Sequence, residues 1–280
     1  MKIFITGCNG QLGRALNQIY EKDEQVKLIN TDVEQLDITN IAQVVTMITQ
    51  EKPDVIVNCA AHTGVDSCET DIENAYKINA IGARNLSIAA VKVGAKIVHI
   101  STDYVFDGNG TEAYSEFAKT NPQGVYGKTK LAGEKFVEQF AQKYFIIRTA
   151  WLYGEGKNFV KTMLKLSETN QIISVVDDQF GTPTSTKEVA KMIKHLIPTD
   201  NYGLFHGTCE GSCSWAEFAK EIFRLAQKNV EVKGIPTTEY PTPAKRPAFS
   251  VLNNTLLQLT TDFKFCNWEK AIAEYIEENQ

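Results

Sequence analysis

The sequence predicts a doubly wound α/β fold, a parallel sheet covered on both faces by helices. Three observations predict it. Short apolar runs alternate with stretches of helical periodicity through the first half of the chain. A glycine-rich turn lies between the first apolar run and the first helix. Finally, 280 residues that are 43% hydrophobic and 22% charged suffice for one large domain or two modest ones with a real core.

The elements follow in order. Ile3 to Thr6 reads as a strand, Leu12, Ala15, Leu16 and Ile19 recur at helical spacing, and Val26 to Asn30 returns to strand. A helix from about Ile41, capped by Thr39 or Asn40, ends before Pro53, and Val55 to Val57 is a buried strand. A long helix from about Ile72 stops at Gly94; Lys96 to Ser101 is strand, Gly124 to Gln142 helix and Phe145 to Ile147 strand. After about Asn158 the rhythm loosens, with a helix over Phe159 to Leu166, a strand over Ile172 to Val176 and a helix over Thr184 to Ile197. Ser214 and Glu217 carry a capping-box signature for a helix to about Ala226. Pro236, Pro241, Pro243 and Pro247 predict an extended surface segment before a last helix near Trp268 to Glu278. No linker-like composition separates the halves, so a second domain is expected to be woven into the first.

Several function classes are set aside. With 29 basic and 34 acidic residues, a net charge of −5 and no basic block, the chain is a poor nucleic-acid binder. No apolar run approaches the roughly 20 residues that span a bilayer. The run Ile3 to Ile5 is too short for a signal-peptide core, so a cytoplasmic protein that does not engage membranes is expected. Six cysteines without a C-x-x-C pair read as reduced thiols. His62, His99, His195 and His206 lack ligand spacing, so no metal site is expected. Gly127-Lys128-Thr129 is no phosphate-binding P-loop, because Pro122 stands where that pattern needs glycine.

Three patterns carry chemistry. Gly7, Gly10 and Gly13 frame Gln11 and Leu12 in the order G-x-x-G-x-x-G between strand and helix, where backbone N–H groups can meet a pyrophosphate. Asp32 follows Gly13 by 19 residues at the end of the second strand, the place for an acid that accepts from an adenine ribose. Tyr126 and Lys130 stand at i and i+4 on one helix face, as a phenol that works with an ammonium requires. Thr102 closes a strand, at the sheet end where open α/β folds hold ligands.

On these residues the chain resembles the extended short-chain dehydrogenase/reductases and, more narrowly, the dTDP-4-dehydrorhamnose reductase family. The resemblance runs almost end to end. It includes GCNGQLG from Gly7, STDYVFDG from Ser101, YGKTKLAGE from Tyr126, RTAWLYG from Arg148, DQFGTPTS from Asp178, and Arg246-Pro247 with Ser250. It implies a Rossmann-type sheet (1–157 with 185–226) and a smaller, interwoven α/β substrate-binding domain (158–184 with 227–280). It further implies NADPH- or NADH-dependent reduction of C4 of dTDP-4-dehydro-L-rhamnose to dTDP-L-rhamnose, with a dTDP-sugar as the partner. In that reading Thr102 polarises the carbonyl, Tyr126 protonates the alkoxide, and Lys130 lowers the Tyr126 pKa and holds the nicotinamide ribose. Asp37 and Ile38 flank adenine, and Ala60 and Ala61 line the cofactor path. Asp103, Tyr104 and Trp151 meet the sugar, and Asn158 and Arg246 the sugar-nucleotide. Gly13 is followed by Arg14 and Ala15, without the glutamate through which some members bridge a dimer with metal, which implies a monomer or weak homodimer. Asp32 favours NADH while Arg14 offsets it for NADPH. Two alternatives stay open: reduction of another 4-keto sugar nucleotide, and a non-catalytic NADP-binding regulatory subunit resembling that of methionine adenosyltransferase.

Overall fold

The expected alternation is realised in a computed structural model that describes residues 1–279. The first half runs β1 (Lys2–Thr6), α1 (Gln11–Tyr20), β2 (Lys27–Thr31), α2 (Ile41–Glu51), β3 (Val55–Asn58), α3 (Val65–Cys68), α4 (Ile72–Tyr76), α5 (Ala83–Val93), β4 (Lys96–Thr102), α6 (Val125–Phe140) and β5 (Tyr144–Thr149). Then come β6 (Leu152–Tyr153), α7 (Phe159–Leu166), β7 (Ile172–Val176), β8 (Phe180–Gly181), β9 (Thr184–Ser185), α8 (Thr186–Leu196) and β10 (Gly203–His206). The chain ends with β11 (Cys213–Ser214), α9 (Trp215–Leu225), β12 (Glu231–Ile235), α10 (Thr255–Thr260) and α11 (Trp268–Asn279).

Six strands form one parallel sheet in the order β2-β1-β3-β4-β5-β10. Its strands are apolar on both faces because both are covered. In β1, Ile3 and Ile5 enter one apolar cluster and Phe4 the other; in β3, Val55 and Val57 join the first and Ile56 the second. Leu12 and Leu16 of α1 with Val189 and Ile193 of α8 close the first face, and Val44, Ile48, Leu86 and Val137 close the second.

The helix expected from Ile72 to Gly94 is continuous but not uniform. Between α4 and α5 it widens into a π-helical turn, Lys77–Gly82, and it ends on Gly94 at φ 75°. Strand β10 and helices α3 and α10 were not anticipated: they are short, and β10 owes its place to β5 rather than to any pattern of its own.

The second body is built from three two-stranded ladders, β7–β12, β8–β11 and β6–β9. Helix α9 packs on β7, β12 and α7. The buried face of α9 (Ala216, Phe218, Ala219, Ile222, Phe223) belongs to the apolar cluster that also takes in Ile3 and Ile5 of β1. The proline-rich segment is also less loose than expected. Ala244 is fully buried, and Phe249 N donates to the Gly108 carbonyl at 3.0 Å, strapping the segment across the loop that follows β4.

Gly133 on α6 crosses the π-helical turn so closely that a Cβ there would lie 2.3 Å from the Asn79 carbonyl oxygen. Gly133→Ala therefore pushes α6 away from its neighbour and is expected to cost about 1–3 kcal/mol. The loss should show as a lower urea midpoint at unchanged m-value. An unmoved midpoint would mean that the two helices are not locked there.

Candidate active site

The loops after β1, β3 and β4 meet at one end of the sheet. Gly7 closes β1 at φ +65°, and a Cβ on it would lie 2.7 Å from Ala60 N, so only glycine lets the loops after β1 and β3 lie side by side. Gly10 N donates to the Gly7 carbonyl at 3.0 Å, and the first helical bond of α1 runs from Arg14 N to the Gly10 carbonyl. The N–H groups of Gln11, Leu12 and Gly13 therefore lack intrahelical partners. A Cβ on Gly13 would stand 2.4 Å from the Gly7 carbonyl oxygen. The cradle thus fits the pyrophosphate of a dinucleotide, met by backbone alone: the Leu12 side chain is buried in the core.

Asp32 is half-buried beside this loop, its carboxylate accepting from Asn9 N at 3.1 Å and Val33 N at 2.8 Å. Arg14 donates to the Asn9 carbonyl at 2.9 Å and pairs with Glu155 at 2.5 Å on the surface. Asp37 is exposed and accepts from Thr39 N at 2.9 Å, while Ile38 is buried against Gly82. Ala60 and Ala61 follow β3 directly and are half-buried.

The second cluster lies at the ends of β4 and α6. The Thr102 hydroxyl donates to Asp103 Oδ1 at 2.8 Å and accepts from Tyr104 N at 3.2 Å. Asp103 is buried, and its Oδ2 has no hydrogen-bond partner. The Tyr104 and Tyr126 rings pack edge-on with centroids 5.5 Å apart. Arg246 Nη1 lies 3.4 Å from the Tyr104 hydroxyl, and Nη2 donates to Asp66 at 2.6 Å. A shallow cleft opens here, lined by Tyr104, Gln123, Gly124, Lys245, Arg246 and Pro247 among others.

Burial dominates the proton affinities. It pushes the Tyr126 phenol well above its ordinary range; the negative charge on Asp103 adds to this, and the Thr102 hydroxyl works against it. Burial also lowers Lys130 to about 8, opposed by Glu134 and Cys59. Asp103 rises to about 6 because desolvation outweighs its bond to the Thr102 hydroxyl and the nearby Ser250 hydroxyl. Tyr126 is thus protonated at neutral pH, the state a proton donor needs. Lys130, expected to act on Tyr126, donates its ammonium to the Ile100 carbonyl at 2.5 Å.

A buried frame sets these positions. Arg148 Nε and Nη2 donate to the two oxygens of Glu134 at 2.8 and 2.7 Å, and the Ser101 hydroxyl donates to the same carboxylate at 2.5 Å. Asn79, in the π-helical turn, donates to Thr129 Oγ1 at 3.0 Å and accepts from His62 N at 2.8 Å. Ser101, Glu134 and Arg148 lie inside the motifs quoted above, yet no role was visible for them there, and Asn79 lies outside those motifs.

Two expected site residues stand apart. Trp151, at φ 46°, stacks on Trp215 with ring centroids 3.5 Å apart and lies against Gly181. Asn158 caps α7, its oxygen accepting from Lys161 N at 3.0 Å and its amide donating to the Gly154 carbonyl at 2.6 Å and Gln11 Oε1 at 3.2 Å. The Asn158 amide is thus spent on its own turn and on Gln11. No hydrogen bond links either residue to the Tyr126 cluster among the described residues. Among those residues, too, no group of three His, Cys, Asp or Glu side chains is placed to hold a metal.

The family described as the RmlD substrate binding domain matches residues 1–280. A crystal structure of a dTDP-4-dehydrorhamnose reductase from Clostridium acetobutylicum shares 54% identity over 100% of both chains, with a TM-score of 0.98. The chain belongs to the dTDP-4-dehydrorhamnose reductase family. Members similar to it include the Bacillus anthracis reductase solved in complex with NADP, 45% identical over 99% of each chain at a TM-score of 0.96. A reductase of Aggregatibacter actinomycetemcomitans is 40% identical over 97% of each chain. The family relationship accounts for the motif order and for the parallel sheet with its second body.

The state of Asp103 is testable through stability. An acid whose folded pKa lies above its unfolded one binds more protons when folded. Its contribution is therefore fully present below pH 3.8 and is lost as pH rises through about 6. Wild type is expected to lose about 3 kcal/mol relative to Asp103→Asn between about pH 4 and 7. Urea titrations of both proteins across that range check this; parallel curves would place the carboxyl in a solvated setting.

Proposed function

We infer that this chain is an NAD(P)H-dependent oxidoreductase that reduces the C4 keto group of dTDP-4-dehydro-L-rhamnose to dTDP-L-rhamnose. The observation that carries the reading is the meeting of Thr102, Tyr126 and Lys130 at the sheet end that also carries the glycine cradle, in a member of this family. When bound, the reduced nicotinamide supplies the hydride. The chain supplies positioning and a proton. The Thr102 hydroxyl, free to turn from Asp103, donates to the carbonyl oxygen. As negative charge develops there, the protonated Tyr126 phenol gives up its proton, and Lys130, moving from the Ile100 carbonyl toward the cofactor ribose, steadies the phenolate left behind. Arg246 with Tyr104 meets the sugar-nucleotide, whose remote binding energy holds the reacting carbon in register. Asp103 acts from beneath the site through Thr102, while Trp151 and Asn158, expected at the sugar-nucleotide, support the segment from β5 to α7. All six cysteines are unpaired, which supports a reducing, cytoplasmic setting. A monomer or weak homodimer suffices, since every group invoked lies on one chain.

The purified chain should oxidise NADPH or NADH when given freshly generated dTDP-4-dehydro-L-rhamnose, in the presence of a chelator. Tyr126→Phe should keep NADPH affinity and lower kcat by roughly 10²-fold or more. A near-wild-type rate moves the acid elsewhere. Preferential turnover of a different 4-keto sugar nucleotide would reassign the substrate, and tight cofactor binding without turnover of any of them would hand the chain to the regulatory reading.

Both cofactors should be accepted. The Arg14–Glu155 pair is half-exposed and holds Arg14 only weakly, leaving it available to a 2′-phosphate that Asp32 repels. Asp32→Ala should raise the NADPH-to-NADH ratio of kcat/KM by roughly tenfold, the removal of about 1.4 kcal/mol of repulsion. An unchanged ratio would show that Asp32 does not reach the ribose.

A further inference from the structure

Helix α3 contributes nothing to the motifs of the reaction, yet two carboxylates on and beside it reach both halves of the cleft. One oxygen of Asp66 accepts from Ala244 N at 3.1 Å and the other from Arg246 Nη2 at 2.6 Å. A single side chain thus holds both the backbone and the guanidinium of the proline-rich strap. Arg246 retains a partly exposed side chain and lies beside the Tyr104 hydroxyl, whose ring packs on Tyr126. An arginine fixed in advance loses less side-chain entropy when it takes a diphosphate.

Glu69, directly after α3, acts on the other side. Its Oε1 accepts from Val125 N at 2.8 Å, one residue before Tyr126. Helix α6 begins after Gly124, which has no side chain to cap it; a Cβ on Gly124 would in fact lie 2.8 Å from that same Glu69 oxygen. Glu69 therefore supplies from a distance the carboxylate cap that a local Asp or Ser supplies elsewhere, in the first turn where an anion also meets the helix dipole. Tyr126 is the second residue of that turn, so fraying there displaces the phenol.

We propose that Asp66 and Glu69 are positioning residues for the reduction, Asp66 presenting Arg246 to the sugar-nucleotide and Glu69 holding the turn that presents Tyr126. This rests on the function inferred above. The test uses the full chain, with steady-state kinetics, NADPH affinity, calorimetric binding of dTDP and amide exchange at Val125. Asp66→Asn should weaken dTDP binding and raise KM for the sugar-nucleotide about tenfold, with kcat and NADPH affinity within about twofold. That effect should vanish in an Arg246→Ala background. Glu69→Ala should lower kcat about tenfold and speed exchange at Val125 while dTDP affinity holds, and Glu69→Gln, which keeps an oxygen acceptor, should restore both. Unchanged dTDP binding in Asp66→Asn, an Asp66 effect that persists without Arg246, or a Glu69→Gln as slow as Glu69→Ala would overturn the proposal. A general loss of NADPH affinity in every variant would overturn it too, by showing a merely structural role. If Glu69→Ala does not fold, Glu69→Gln alone must match wild type in kcat and Val125 exchange. If wild type reduces no 4-keto sugar nucleotide, the proposed function fails, and dTDP binding and Val125 exchange still decide the two acids.

Discussion

The buried pair of Glu134 and Arg148 is the constraint on which the site depends. Ser101 and Arg148 stand opposite each other in the register of β4 and β5, and both bond the one carboxylate that α6 sends down. Tyr126, Lys130 and Glu134 follow at intervals of four on one helix face, so fixing the third fixes the other two against the end of β4. Two charges have left water to make this joint, and only two-point geometry with a further hydroxyl makes that tolerable. Arg148 also lies under the Phe106 ring, 5.1 Å from its centroid, extending the joint to the segment that follows Thr102. Rigid placement of an acid and a carbonyl-polarising hydroxyl is what a hydride acceptor requires of its surroundings.

The second body shares one apolar cluster with a face of the main sheet, and polar contacts near the site add to it. Asn158 joins the turn before α7 to Gln11 at the glycine cradle, and Asp66 joins the proline-rich strap to α3. Between them stands the Trp151–Trp215 stack, one ring from the end of β5 and the other from the start of α9. Side chains thus help to register the turn before α7 and the proline-rich strap against the loops at the sheet end.

What was legible in the sequence is local geometry. The glycine spacing, the Tyr126–Lys130 interval and the Ser214–Glu217 capping box each describe contacts within one or two turns, and the box forms with both of its bonds. The bounds of α7 and β7 were equally readable, since periodicity and caps decide them. Illegible were the contacts that join distant stretches. Asp66 reaches 180 positions along the chain to Arg246, and Glu69 reaches 56 to Val125. The turn of Lys130 toward Ile100, the side α9 packs on and the left-handed backbone of Trp151 are likewise set by tertiary neighbours. Arg148 shows the difference well: its motif was plain, but nothing around it in sequence says that it points inward at a helix.

Strand β10 has a consequence for how the molecule comes into being. The main sheet takes its last strand only after the chain has left to build β6, α7 and β7, and α10 from still later in sequence packs on that strand. On the ribosome, the exposed flank of β5 stays unpaired until most of the polypeptide has emerged. It offers meanwhile an open ladder of N–H and C=O groups to any passing extended segment. Truncations ending before residue 203 leave that flank bare for good.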